Sequence, residues 1–275
     1  MKMENIMTVD EKIKYLLDKD KYSFEDLVIL VEVLRSEKGC PWDREQTHKT
    51  IRKDLIEETY EVIEAIDTDD PTLMREELGD VLLQIVFHSC IGKEDAQFDI
   101  NDVTNDICVK LIHRHPHVFG DVQADTSEKV LSNWEKIKSD EKDRRTVTDK
   151  LRAIPPMLPA LMRAEKVGKK AKCFDFADAD AVIPKVHEEI AEFEGAYSSG
   201  DACAMEEEMG DLLLTLTSLC RKTGIDPEVA LSKATNKFID RFETVENIVL
   251  ARSLDMETMT MTELDAIWDE IKHKN

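Results

Sequence analysis

One ordered set of polar residues occurs twice in this chain. The first copy reads Glu57-Glu58-Thr59-Tyr60-Glu61, then Glu77-Leu78-Gly79-Asp80. The second reads Glu188-Glu189-Ile190-Ala191-Glu192, then Glu208-Met209-Gly210-Asp211, trailing the first by 131 residues throughout. The echo continues downstream: Lys110 and Arg114 are answered by Lys237 and Arg241 at an offset of 127, and Trp134 and Lys138 by Trp268 and Lys272 at an offset of 134. A repeat kept for packing alone would preserve apolar positions. This one preserves acids, then bases, then Trp and Lys. It implies a duplicated domain carrying a repeated polar site.

The chain is long enough for two small domains, at roughly 100–150 residues each. Apolar residues recur at helical spacing. They predict helices over about 24–36, 47–67, 76–91, 100–114, 127–142, 158–171, 180–198, 204–222, 227–247 and 260–273. With 9 Gly, 8 Pro and 6 % aromatic residues, a strand-rich fold is disfavoured. The expected class is all-α, with two tandem domains. A charged run, Asp140 to Arg145, precedes Ile154-Pro155-Pro156-Met157-Leu158-Pro159. Boundaries follow: an N-terminal extension over 1–21, a first domain over 22–145, a linker over 146–157 and a second domain over 158–275.

The 37 basic and 59 acidic residues leave a net charge of −22. That balance repels phosphate backbones and argues against nucleic-acid binding. No apolar run reaches the ~18–20 residues of a membrane span. The opening Met1-Lys2-Met3-Glu4-Asn5 leads into a charged stretch with no apolar leader. Cys40, Cys90, Cys108, Cys173, Cys203 and Cys220 form no CxxC pair, which suits reduced cysteines and a cytoplasmic location.

At about 100° per residue, Glu61 lies about 40° from Glu57, Glu58 about 100° and Asp54 about 60°. These carboxylates share one sector of a helix whose remainder holds Leu55, Ile56, Ile63 and Ile66. On the next helix Glu77 and Asp80 are neighbours at i, i+3, and Gln84 and His88 extend their stripe. The second copy has Glu208, Asp211 and Thr215 in the corresponding row. Carboxylates in such apolar helices cost several kcal/mol if buried unpaired. Two facing acidic stripes would also repel. A divalent cation removes both costs, and a carboxylate set without matched Cys or His favours a hard ion, Mg²⁺ or Mn²⁺. A solvated acidic face is the bland alternative, and the ordered duplication speaks against it. A ferritin-like di-iron site needs Glu-x-x-His, which these helices lack.

The pairs Lys110/Arg114 and Lys237/Arg241 are each i, i+4. Such a pair opposite metal-holding acids suits a polyphosphate. Trp134 and Trp268 serve either as core anchors or as platforms for a nucleobase, with Lys138 or Lys272 near the phosphates. His113-Arg114-His115-Pro116-His117 invites a metal reading, but Pro116 breaks the helix there and the second copy lacks these histidines. A loop or interface role fits them better.

These residues together resemble the MazG family of nucleoside triphosphate pyrophosphohydrolases, whose signature is EExxE followed by ExxD. Gly39-Cys40-Pro41-Trp42-Asp43 and His113 to Phe119 reinforce the likeness, which spans roughly 22–273. The resemblance implies paired helices that assemble into four-helix-type bundles on dimerisation. It implies Mg²⁺-dependent hydrolysis of a nucleoside triphosphate to monophosphate and pyrophosphate, with loose base selectivity. It implies metal ligands at Glu58, Glu61, Glu77 and Asp80, and at Glu189, Glu192, Glu208 and Asp211. Glu57 and Glu188 would support those ligands or act as the base. Lys237, Arg241, Trp268 and Lys272 would bind substrate, as would Lys110, Arg114, Trp134 and Lys138 in the first copy. The copies differ one turn before the second acid: Lys185 stands where the first copy has Asp54. The acidic charge there marks the first copy as the weaker catalyst. Cys173-Phe174-Asp175-Phe176 replaces a Gly-Phe-Asp-Trp common in relatives. A non-catalytic nucleotide or metal sensor is the competing function.

Overall fold

The computed structural model describes residues 7–141 and 146–272. The opening stretch, residues 1–6, residues 142–145 of the charged run, and the last residue of the 260–273 helix lie outside them. The described residues form α-helices and one 3₁₀ turn, with no strand among them. In order they are α1 (Val9–Leu17), α2 (Phe24–Arg35), α3 (Pro41–Glu45), α4 (Arg52–Asp67), α5 (Pro71–Glu94), α6 (Ile100–Arg114), α7 (Pro116–Phe119) and α8 (Ser127–Glu141). Then come α9 (Val147–Arg152), α10 (Ala160–Lys170), α11 (Ala179–Ser199), α12 (Ala202–Thr223), α13 (Pro227–Ala251) and α14 (Met261–Lys272). The 3₁₀ turn covers Lys172–Phe174. The chain divides into two compact units, Met1–Glu135 and Lys136–Asn275. Residues 146–157 carry α9, which packs against α10.

Within the first unit α4 and α5 form an antiparallel pair, and α2 lies against α5. Val31 of α2, Ile51, and Val86, Phe87, Cys90 and Ile91 of α5 make its core. The helix expected from 47 starts only at Arg52. Thr47 and Thr50 bond each other's backbone and side chains, a local turn that competes with helix. Arg35 anchors the preceding loop. It forms a bidentate pair with Glu94 at 2.8 and 2.6 Å, donates to the carbonyls of Asp43 and Gln46, and lies over the Phe87 ring. Gly39 is obligatory in that loop, because a Cβ there would collide with the Val33 and Leu34 carbonyls. The sequence alone suggests that Leu82, Leu83 and Phe87 need cover from a partner or from the other copy. Phe87 is instead buried within its own unit and Leu83 packs on the same core, because α2 covers that face; Leu82 stays exposed.

In the second unit α11 and α12 pair, α10 packs on α12 and α13, and α14 folds back on α13. Val245, Val249, Ile267 and Ile271 form its core. Asp175 accepts from Arg221 and from Lys222, at 2.9 Å for the latter, tying the loop before α11 to the end of α12.

The repeat extends into the turn between the paired helices. Asp69 and Gly200 both adopt positive φ, at 53° and 72°. Asp70 and Asp201 then cap α5 and α12, each accepting from backbone N–H groups two and three residues on. A left-handed residue followed by an Asp cap reverses the chain and starts the next helix. The same device twice gives both helix pairs the same register.

Candidate active site

The helix-pair register brings α4 carboxylates opposite α5 carboxylates. Glu58, Glu77 and Asp80 place oxygens within 4.8 Å of one another. In the second unit Glu189, Glu208 and Asp211 do the same. The tightest cluster therefore takes three of the four acids that the signature marks in each copy. Glu61 and Glu192 are both solvent-exposed. Glu61 stays close enough to hydrogen-bond Glu58 and Glu77. Glu192 feels the charges of Lys185, Glu189 and Glu208. Glu57 and Glu188 lie on the exposed side of their helices, each more than half open.

Glu77 and Glu189 are the buried members, 9 % and 4 % exposed. The two clusters handle this burial differently. In the first, burial and then the charge of Asp80 push the Glu58 carboxyl up to about 6, with Glu61 and Glu77 adding to the shift. Glu77 is raised as well, by burial first and then by Glu61. In the second cluster the Lys185 ammonium lies 2.8 Å from Glu188 and 2.9 Å from Glu189. Those hydrogen bonds hold Lys185 above the usual lysine range. Asp54 occupies the matching place in the first copy, but there it belongs to the first turn of α4, where an acid favours the helix dipole. The α11 helix begins earlier, with Pro184 inside it, so Lys185 falls well within its helix.

Both clusters fit a hard divalent cation: converging carboxylate oxygens, partly buried, with excess negative charge. A bound cation would offset the mutual repulsion of the first cluster's carboxylates and compete with Lys185 in the second.

The basic and aromatic residues are arranged differently in the two units. Arg114 is 6 % exposed and its guanidinium lies over the Trp134 ring, 5.2 Å from the centroid. One face of the Trp134 indole is thus taken by the chain's own arginine. Lys110 is exposed; Lys138, on the part of α8 past the boundary between the units, is half-buried. In the second unit Arg241 is half-buried and Lys237 exposed on α13, and neither makes an ion pair among the described residues. Trp268 packs on the α13–α14 core and against Phe238, with ring centroids 5.3 Å apart. It is an anchor on one side and half-open on the other. Lys272 pairs with Asp269 at 3.3 Å.

His115 ends α6 and its Nδ1 lies 2.6 Å from the Leu111 carbonyl; His117 tilts against it. Asp70-Pro71 reads as a helix start in the sequence and is one; the site features missed there are the cap Asp201 and the turn residues Asp69 and Gly200. Their own 131-residue offset was the available signal. Gln84 continues the acidic row of α5, and its buried Oε1 has no hydrogen-bond partner among the described residues. All six cysteines are free. No described helix is long and apolar enough to cross a membrane.

Residues 46–119 and 177–246 match the MazG nucleotide pyrophosphohydrolase domain. The two matched segments contain the two acidic clusters. The chain is 43 % identical over 252 residues to the nucleoside triphosphate pyrophosphohydrolase of Escherichia coli K12, covering 90 % of this chain and 96 % of the relative. It is also 43 % identical over 251 residues to the nucleoside triphosphate pyrophosphohydrolase/pyrophosphatase MazG of Thermotoga maritima, covering 90 % and 95 %. Two matched domain segments, each with its own carboxylate cluster, and near full-length identity to these relatives mean that the chain belongs to the MazG nucleotide pyrophosphohydrolase family.

Proposed function

We propose that this chain hydrolyses nucleoside triphosphates to monophosphates and pyrophosphate, that Mg²⁺ is required, and that the second domain carries most of the turnover. Base selectivity is broad, as befits clearing unwanted nucleotides. The observation that carries this reading is the carboxylate triad Glu189, Glu208 and Asp211 with Lys185 built against it. Bound Mg²⁺, with Mn²⁺ as a substitute, supplies the charge that polarises the α-phosphate and acidifies the attacking water.

The residues of the chain do the rest. Glu189, Glu208 and Asp211 hold the cation, with Glu192 completing the set. Glu188 accepts the proton of the attacking water as its oxygen bonds to the α-phosphorus. The bridging α–β bond breaks and pyrophosphate leaves with the electron pair. Lys185, Lys237 and Arg241 offset the charge that develops on it. Trp268 and Lys272 orient the nucleotide. In the first domain Glu57, Glu58, Glu61, Glu77 and Asp80 repeat the acidic set, and Lys110, Arg114, Trp134 and Lys138 repeat the rest. There the Arg114–Trp134 contact and Asp54 oppose substrate. That observation favours a non-catalytic, metal-binding role for the first domain alone.

A panel of nucleoside triphosphates with Mg²⁺, read by pyrophosphate release, tests the reading. Release from several triphosphates, abolished by EDTA, is the expected result. Nucleotide binding without turnover would move the whole chain to the sensor function.

The working form is a homodimer. Ile56, Tyr60, Ile63 and Ile66 on α4, and Leu78, Leu82 and Ile85 on α5, are all more than a third exposed. Apolar surface on this scale marks an association face. Light scattering at micromolar concentration is expected to give twice the 31.5 kDa chain mass. A fully active monomer would refute the dimer.

A further inference from the structure

His48 lies in the turn just before α4, and His88 lies on α5, 40 residues further along the chain. Their Nδ1 atoms are 2.8 Å apart. The rings are nearly coplanar, at 8°, with centroids 5.1 Å apart. That centroid separation matches one Nδ1···Nδ1 hydrogen bond plus the two ring radii. The rings therefore meet edge to edge, nitrogen facing nitrogen, rather than face on face. Phe98, next to the Asp99 cap of α6, lies 6.2 Å from His48 at 20° and covers it.

A facing pair of Nδ1 atoms holds one proton between them. One ring donates Nδ1–H; the other accepts through a bare Nδ1 and carries its own proton on Nε2. The bond survives in the neutral pair and when the pair has gained one proton. It cannot survive the second, because two N–H groups would then point at each other.

We propose that His48 and His88 form a proton-operated clasp that fastens the turn before α4 to α5, and that opens when both rings are protonated. The clasp acts on the first acidic site through placement. The α4 helix starts four residues after His48 and carries Glu58, while α5 carries Glu77, Asp80 and His88 along one stripe. At the 131-residue offset the second domain has Ala179 and Leu219, so the device belongs to the first domain only.

Among the described residues, the charged groups around the pair make no hydrogen bond to either ring. Lys49 from the same turn, Arg35 from α2, and Glu94 and Asp95 from the end of α5 line the cavity beside His48. Arg35 and Glu94 are already locked to each other. At the start of α6 the Asp99 cap has its carboxylate engaged by the backbone N–H groups of Asn101 and Asp102. Among the described residues no carboxylate pairs with either imidazole. Burial first, and then the charge of His48, hold His88 below the ordinary histidine value. A depressed folded-state value means that the stabilisation is present above the unfolded value of about 6.5 and is lost as pH falls through the folded one.

Imidazole ¹⁵N NMR of the full chain tests the clasp directly. At about pH 7.5 one of the two rings should carry Nδ1–H and the other a bare Nδ1, with a coupling across the hydrogen bond; at about pH 5 that coupling should vanish. Two rings with bare, uncoupled Nδ1 atoms at the higher pH, or a coupling that persists at the lower, would overturn the proposal. Hydrogen exchange gives a second reading. Protection of amides 47–58, corrected for intrinsic rate and referenced to α11, should fall about tenfold over that range, on the scale of one linked proton per pH unit. In the His48→Phe/His88→Phe protein it should stay level. An equal fall in both proteins would also overturn it.

Discussion

Asp211→Ala should lower pyrophosphate release by more than ~10²-fold while leaving the protein folded, the scale of one strong transition-state interaction. The two halves of that expectation have different physical origins. Asp211 is exposed on α12 and takes no part in either core cluster, so its removal leaves no cavity. Its oxygens nevertheless converge with those of buried Glu189 and of Glu208. Without it the cation shell is incomplete, and cation binding to the folded state no longer adds stability. Thermal melts with and without Mg²⁺ should therefore converge for the variant in the second unit and differ for the parent. An Asp211→Ala protein with near-parental turnover would remove this cluster from the reaction.

Paired inactivation should separate the two domains. Glu189→Ala with Glu208→Ala is expected to abolish most activity, while Glu58→Ala with Glu77→Ala is expected to keep it within about threefold. The argument is electrostatic. A triphosphate approaching the second cluster meets Lys185, already seated against Glu188 and Glu189. One approaching the first meets Asp54, and like charges a few ångströms apart repel by a few kcal/mol at an effective dielectric near 20. Arg114 is also committed to the Trp134 ring and buried, where Arg241 is only half-buried. Steady-state pyrophosphate release from both variants at saturating Mg²⁺ is the measurement. Activity lost in the first-domain variant and kept in the second-domain variant would show that the charge argument picked the wrong cluster.

The acidic rows were legible because they are local. Glu77 and Asp80, or Glu208 and Asp211, are one helical turn apart, and periodicity puts them on one face without any tertiary information. The duplication added that these faces matter. Most helix spans were legible for the same reason. The short α1, α3, α7 and α9 were not, because so few residues display too little of a 3.6-residue period. The start of α4 was misplaced because the threonine turn at 47–50 is settled by side-chain bonds that compete with helix.

By itself the sequence determined the all-α class, the twofold repeat and the residue types of each carboxylate cluster, since each depends on spacings of a few residues or on a constant offset. Tertiary structure decided which three acids converge, that α2 rather than a partner covers Phe87, and that Arg114 closes over Trp134 while Trp268 rests on Phe238. It also joined His48 to His88. These contacts join helices through side chains about 20 to 60 residues apart, and their geometry is set by how helices pack. No local period in the chain encodes that packing.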